Sequence, residues 1–193
     1  MMTEQGLLVV ISGPSGTGKG TVIQHLLEHH DRIQLSISAT TRQPREGDID
    51  GVHYHFLTKE QFEEMIAQDA VLEYATYCDQ YYGTPKAPIE NWRGDGDDVI
   101  LEIEVQGGAQ VKQKCPDCVT IFILPPSLEE LENRLRGRGT EEEEKIQKRL
   151  QTAKDELKEA ERYDYTVVNT EVADTAERIM EIIQTERKKR FAK

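Results

Sequence analysis

Near the amino terminus, the segment Gly13-Pro14-Ser15-Gly16-Thr17-Gly18-Lys19-Gly20-Thr21 limits the folds open to this chain more than any other. It follows an apolar, β-branched run at residues 7–12 and precedes a stretch in which Val22, Ile23, Leu26 and Leu27 share one helical face. Strand, glycine-rich turn and helix in that order make an anion cradle. The glycines let backbone N–H groups converge on phosphate oxygens, the helix terminus adds positive potential, and Lys19 can reach terminal phosphates. The run before the loop is apolar without alternation, as expected of a strand covered on both faces in a parallel sheet. Gly20 stands where the general loop has Ser or Thr to hold Mg²⁺, with Thr21 one residue later. The ligand of the metal on this side, a side chain or only water, therefore stays open.

Further buried strands are expected at residues 99–103, 119–124 and 165–168, with helical stretches after them. A last helix is lined by Val172, Ala176, Ile179 and Ile183. This alternation predicts an α/β fold: a parallel sheet flanked by helices around the phosphate loop. Two stretches break the rhythm. Residues 35–94 read as a small α+β insertion, with strands at 52–57 and 71–77 around a helix at 58–68. Residues 134–162 are arginine-rich, then acidic, then helical, and read as a lid. Within the lid, Thr140 and Glu143 form a capping box, and Ile146, Leu150, Ala153 and Leu157 repeat at helical spacing. The core is then residues 1–34, 95–133 and 163–193 of one 193-residue domain.

The net charge of −12 argues against a nucleic-acid or anionic-membrane surface, so any phosphate site must be a local basic cluster. No run approaches the ~20 apolar residues of a membrane span. Acidic Glu4 before a short apolar stretch does not read as a signal peptide, and the expected location is cytoplasmic. Cys115 and Cys118 form a lone pair before a strand and read as a turn, not as a zinc or redox site. His53 and His55 alternate on one expected strand, but no third ligand accompanies them, so they read as structural.

A second anion site is suggested by Ser38-Ala39-Thr40-Thr41-Arg42-Gln43-Pro44-Arg45-Glu46-Gly47, where two guanidinium forks suit bidentate phosphate binding. Continued by Asp50-Gly51-Val52-His53-Tyr54-His55-Phe56, this stretch resembles the GMP-binding motif of guanylate kinases. Glu73, Tyr81-Tyr82-Gly83-Thr84, residues 100–107, Arg134-Leu135-Arg136-Gly137-Arg138-Gly139-Thr140 and Arg149 match that family in order, and the loop Gly18-Lys19-Gly20-Thr21 resembles those of nucleoside monophosphate kinases.

The resemblance implies roles residue by residue. Gly13, Pro14, Ser15, Gly16, Thr17, Gly18, Lys19, Gly20 and Thr21 would bind ATP, with Asn169 near the adenine. Arg42, Arg45, Tyr54 and Tyr82 would bind the GMP phosphate, and Ser38, Glu73 and Thr84 would face guanine. Glu102 and Glu104 stand where many relatives have aspartates, leaving open which carboxylate meets metal, water or GMP. Arg134, Arg138 and Arg149 would act with Lys19 and Arg42 on the transferring phosphoryl group. Tyr81 reads as a core aromatic, and Arg136 as a solvated helix residue.

Chemistry supports a guanine site. Guanine offers N1–H and an N2 amino group side by side, so one carboxylate at Glu73 can accept both, whereas adenine presents a lone pair at N1. The expected reaction is Mg²⁺-assisted phosphoryl transfer from ATP to GMP, and to dGMP, in purine nucleotide metabolism. Two alternatives remain: a kinase for another monophosphate, and a non-catalytic guanylate-kinase-like scaffold that binds phosphopeptides. The intact Lys19 and lid arginines argue against the second.

Overall fold

The computed structural model describes residues 5–137 and 143–191. Five strands form the main sheet: β1 (Leu8–Ser12), β2 (Ile33–Leu35), β7 (Asp98–Glu102), β8 (Val119–Leu124) and β9 (Tyr165–Val168). They are all parallel in the order β2-β7-β1-β8-β9, so β1 is central and both its neighbours are separated from it in sequence. That placement explains why residues 8–11 of β1 are almost wholly apolar and all buried. On one face, α1 (Lys19–His29) and α7 (Val172–Phe191) pack Val22, Ile23, Leu26, Ile179 and Ile183 against Val9 and Ile11. On the other, α3 (Lys86–Gly94) and α4 (Val105–Lys114) bring Ile89 and Val111 to Leu8, Val10, Val99 and Leu101.

A second sheet orders its strands β4-β3-β6-β5, from β3 (Ala39–Thr40), β4 (His55–Phe56), β5 (Val71–Tyr77) and β6 (Gln80–Pro85). Helix α2 (Lys59–Ala67) closes it, started by a Thr58–Gln61 capping box. The strand expected at 52–57 is reduced to His55–Phe56. Its first half is a turn instead, in which Val52 and His53 donate backbone N–H groups to the Ile49 carbonyl. His53 and His55 therefore do not share a strand face, and His53 Nδ1 caps the Ile49 N–H at 2.9 Å. Helix α3 lies within the 35–94 stretch but packs on the main sheet through Ile89 and Trp92. We accordingly propose narrower bounds for the insertion, at about the small sheet itself.

Two helices, α5 (Leu128–Arg136) and α6 (Glu143–Leu157), share a separate apolar cluster of Leu131, Leu135, Ile146, Leu150 and Ala153. A 3₁₀ turn at Lys158–Arg162 leads from α6 to β9. Arg136 does more than sit in solvent: it pairs with Glu132 at 2.7 Å and with Glu143, tying α5 to α6. The capping box expected at Thr140, like Arg138, lies outside the described residues. Cys118 donates its N–H to the Cys115 carbonyl, both thiols are free, and burial pushes the Cys118 thiol up to about 11. Among the described residues no helix is long and apolar enough to cross a membrane.

Candidate active site

The glycine-rich loop leaves the carboxyl end of β1 and enters α1 through backbone that side-chain-bearing residues rarely adopt. Gly16 has φ 92° and Gly18 has φ 86°. Their bare Cα faces also admit close neighbours. A methyl on Gly16 would meet Leu131 and Leu135 at 3.1 and 3.0 Å, so α5 rests directly on the loop. A methyl on Gly18 would stand 2.6 Å from Nδ2 of Asn169. The Asn169 amide is buried, donating to the Thr17 carbonyl at 2.7 Å and accepting from Thr175 Oγ1 at 3.0 Å. Thr17 itself donates through Oγ1 to the Pro14 carbonyl at 2.9 Å. The Lys19 ammonium folds back to donate to the Gly13 and Pro14 carbonyls at 2.6 and 3.1 Å.

The helices over the loop supply two of the expected arginines. Arg134 reaches the carbonyls of Thr17 and Asn169 at 3.4 Å each and is held at Nε by Glu130 at 2.9 Å. Arg149 donates to Ser15 Oγ.

A cleft of about 460 Å³ opens between this loop and the small sheet, lined by Lys19, Ser38, Tyr54, Glu102, Glu104 and Glu156 among others. It lies beyond the carboxyl ends of β1 and β7, where open α/β sheets bind ligands. A second cavity of about 410 Å³, bordered by Asp98 and Arg187, lies at the amino end of β7 and has no phosphate loop. Burial lowers the Lys19 ammonium from its ordinary value, while the charges of Glu102, Glu156 and Glu104 oppose that shift. Desolvation in turn raises the carboxyls of Glu102 and Glu156, with Lys19 opposing. Position 20 is open: a methyl on Gly20 would only reach ordinary contact with the Glu102 carboxylate, at 3.8 and 3.9 Å.

Across the cleft, Arg42 donates Nη1 to Asp48 at 2.9 Å, and the same carboxylate oxygen accepts the Arg45 N–H at 2.7 Å. The Arg42 guanidinium lies 5.4 and 5.5 Å from the ring centres of Tyr54 and Phe56. Tyr82 meets Tyr54 edge-on with ring centres 6.1 Å apart. An arginine among tyrosines, aligned by a carboxylate, suits an anion with several oxygen acceptors. The backbone N–H of Arg45 and the guanidinium of Arg42 hold the Asp48 carboxyl below its usual range. Burial raises the Tyr54 phenol.

Further along the small sheet, Glu73 is only 6% exposed and accepts Thr84 Oγ1 at 2.6 Å. Burial raises its carboxyl above the ordinary 4.5, against the Thr84 hydrogen bond and the charge of Lys114. The charge of Glu104, which lines the cleft, adds to the rise and links this end to the loop. Tyr81 points elsewhere, stacked on Phe62 with ring centres 5.1 Å apart.

The structure thus gathers Lys19, Ser38, Tyr54, Glu102 and Glu104 around one cleft and sets Arg42 beside Tyr54. Arg45 is exposed and engaged here through its backbone. Two residues of this region were not singled out from sequence, Asp48 and Glu156. The first stands inside the arginine motif and could have been suspected as its counter-ion. The second carried no signal, being one acid among many on α6. Among the described residues no group of three or more His, Cys, Asp or Glu side chains is placed to hold a metal by itself.

A parallel sheet feeding a lysine-bearing phosphate loop, faced across one cleft by an arginine–tyrosine anion site, defines a P-loop enzyme of the nucleoside monophosphate kinase class. A family model described as guanylate kinase matches residues 5–186. The chain is 53% identical over 189 residues to a guanylate kinase of Clostridioides difficile, covering 98% of this chain and 92% of that one. It is 52% identical to a guanylate kinase of Desulfitobacterium hafniense, covering 97% and 94%. Among solved structures, a guanylate kinase from Anaplasma phagocytophilum aligns with TM-score 0.75 and 34% identity over 96% of this chain and 88% of its own. The chain belongs to the guanylate kinase family.

Proposed function

We propose that this enzyme transfers the γ-phosphoryl group of ATP to the phosphate of GMP, giving ADP and GDP, with dGMP as a second acceptor. The observation that carries the acceptor is Glu73, a buried carboxylate bonded to Thr84 and within the electrostatic reach of Glu104, which lines the cleft at the phosphate loop. A carboxylate desolvated this far needs donors, and guanine N1–H and N2–H supply two in one plane.

The GMP phosphate would take the place of Asp48 in front of Arg42 and Arg45, flanked by Tyr54 and Tyr82. One of its oxygens, already ionised, attacks the γ-phosphorus in line as the bond to the ADP oxygen breaks, so no general base is required. Lys19 would exchange its two loop carbonyls for phosphate oxygens. Arg134 and Arg149, seated on the loop by α5 and α6, would neutralise charge on the transferring group, together with Arg138. Asn169 would act by holding Thr17 and so the shape of the loop beneath the adenine nucleotide. The lid, proposed at residues 134–162, would exclude water.

Mg²⁺ fits this site. The cleft places the Glu102 and Glu104 carboxylates on the side of Lys19, and Gly20 leaves the space before Glu102 open. Glu102 and Glu104 would hold the ion through its water shell, and it would supply neutralisation of phosphate charge. We place the enzyme in the cytoplasm; its net charge of −12 argues against a nucleic-acid or anionic-membrane surface as the partner.

The decisive experiment measures ADP release in the presence of Mg²⁺–ATP and GMP, dGMP, AMP, CMP, UMP or TMP. Rapid turnover with GMP and dGMP alone is expected. Preference for another monophosphate would overturn the acceptor, and no turnover with any would favour a binding scaffold.

A further inference from the structure

Glu73 is fixed on one side by Thr84, and its second oxygen faces the first turn of α4. A methyl placed on Gly107 would stand 2.9 Å from Oε2 of Glu73 and 3.3 Å from its carboxylate carbon, but at an ordinary 3.5 Å from Ile103 Cδ1. Gly107 is buried and helical, and its backbone has no left-handed φ that would by itself require glycine. Helix propensity favours Ala at such a position. The missing side chain therefore has one close beneficiary, the tip of Glu73.

We infer that Gly107 is a positioning residue for acceptor specificity: its bare Cα lets the Glu73 carboxylate sit against α4 in the plane that reads guanine. This rests on the reading of Glu73 as the guanine acceptor. Its logic is that the far end of a flexible side chain yields easily. With Ala at 107 the Glu73 carboxylate rotates away, so the fold absorbs the methyl while the base loses its aligned partner. A residue needed only for packing would behave in the opposite way, losing stability without changing which base is preferred.

The test compares kcat/KM for GMP and for inosine monophosphate, which lacks the N2 amino group, in the wild type, Gly107→Ala, Glu73→Gln, Glu73→Asp and Gly107→Ala/Glu73→Asp. Gly107→Ala is expected to lower kcat/KM for GMP roughly 10- to 100-fold, the loss of about one charge-assisted hydrogen bond. KM for GMP should carry most of that loss, KM for ATP should stay within twofold, and the preference for GMP over inosine monophosphate should fall at least fivefold. Thermal unfolding should remain within a few degrees of wild type. In the Glu73→Asp background, where the carboxylate is withdrawn by one methylene, adding Gly107→Ala should change the preference less than twofold. An unchanged preference in Gly107→Ala, with Glu73→Gln reducing it, overturns the role of Gly107. An unchanged preference in Glu73→Gln overturns the reading of Glu73 itself. Equal loss from Gly107→Ala in both Glu73 backgrounds would show that the methyl acts through something other than this carboxylate.

Discussion

Gly18→Ala isolates how the phosphate loop is held in shape, because the structure divides its expected effect into two parts. The first is backbone strain: at φ 86° an alanine in left-handed backbone costs about 1–2 kcal/mol. The second is the collision, 2.6 Å, between the new methyl and Nδ2 of Asn169. That amide cannot swing aside freely, since it bonds Thr17 and Thr175 in a site where Asn169 is 3% exposed. Breaking either bond leaves a buried polar group unpaired, at about 1–3 kcal/mol. The sum is about 2–5 kcal/mol, read as a shift of the urea midpoint at constant slope. Asn169→Ala removes the obstacle, so adding Gly18→Ala to it should cost only the strain, about 1–2 kcal/mol. A double-mutant cycle on urea unfolding measures the difference as coupling between the two positions. A cost of Gly18→Ala that is the same in both backgrounds would refute the assignment of Asn169 as the wall of the loop.

Other substitutions probe the chemistry. Glu73→Gln replaces one carboxylate acceptor with a donor facing a guanine N–H, and should cost about 2–4 kcal/mol in kcat/KM for GMP but less for inosine monophosphate; equal losses for both would refute contact with the amino group. The folded Glu73 carboxyl is raised above its ordinary 4.5, so its ionisation opposes folding: the penalty is absent below that value and grows as pH rises through the raised one. Glu73→Gln should therefore raise the melting temperature at pH 8 but not below pH 4, and scans at both pH values check the sign. Lys19→Met should abolish phosphoryl transfer while leaving GMP binding by calorimetry near wild type; near-normal turnover would remove the loop from the mechanism.

Four strands of the main sheet were legible in sequence as mainly apolar stretches, with residues 119–124 and 165–168 at the bounds of β8 and β9, whereas β2, three residues with Gln34 at its centre, offers no such run. Helix α6 was legible in the spacing of Ile146, Leu150 and Ala153, which all face Leu131 and Leu135. β6 was not. Its residues include Gly83 and Pro85, and the turn before it hides its nature. Cys78 and Asp79 both adopt positive φ, 49° and 61°, in a two-residue hairpin where Asn-Gly would have announced itself. Helix α3 was hidden in the same way by Pro85, Pro88 and Gly94. In the cleft, the loop glycines and Lys19 could be read from spacing alone, whereas Glu73 needed the surrounding motif. Its pairing with Thr84 joins neighbouring antiparallel strands across the unrecognised hairpin.

The Lys19 ammonium bound to the Gly13 and Pro14 carbonyls has a consequence for the end of each turnover. A cation whose only possible partners were nucleotide oxygens would be stranded in a half-buried position when product dissociates, and that stranding would hold ADP in place. Here the loop keeps two acceptors in reserve. If Lys19 holds the reacting phosphates as proposed, departure of the nucleotide would be an exchange of partners, and that contact need not slow the next cycle.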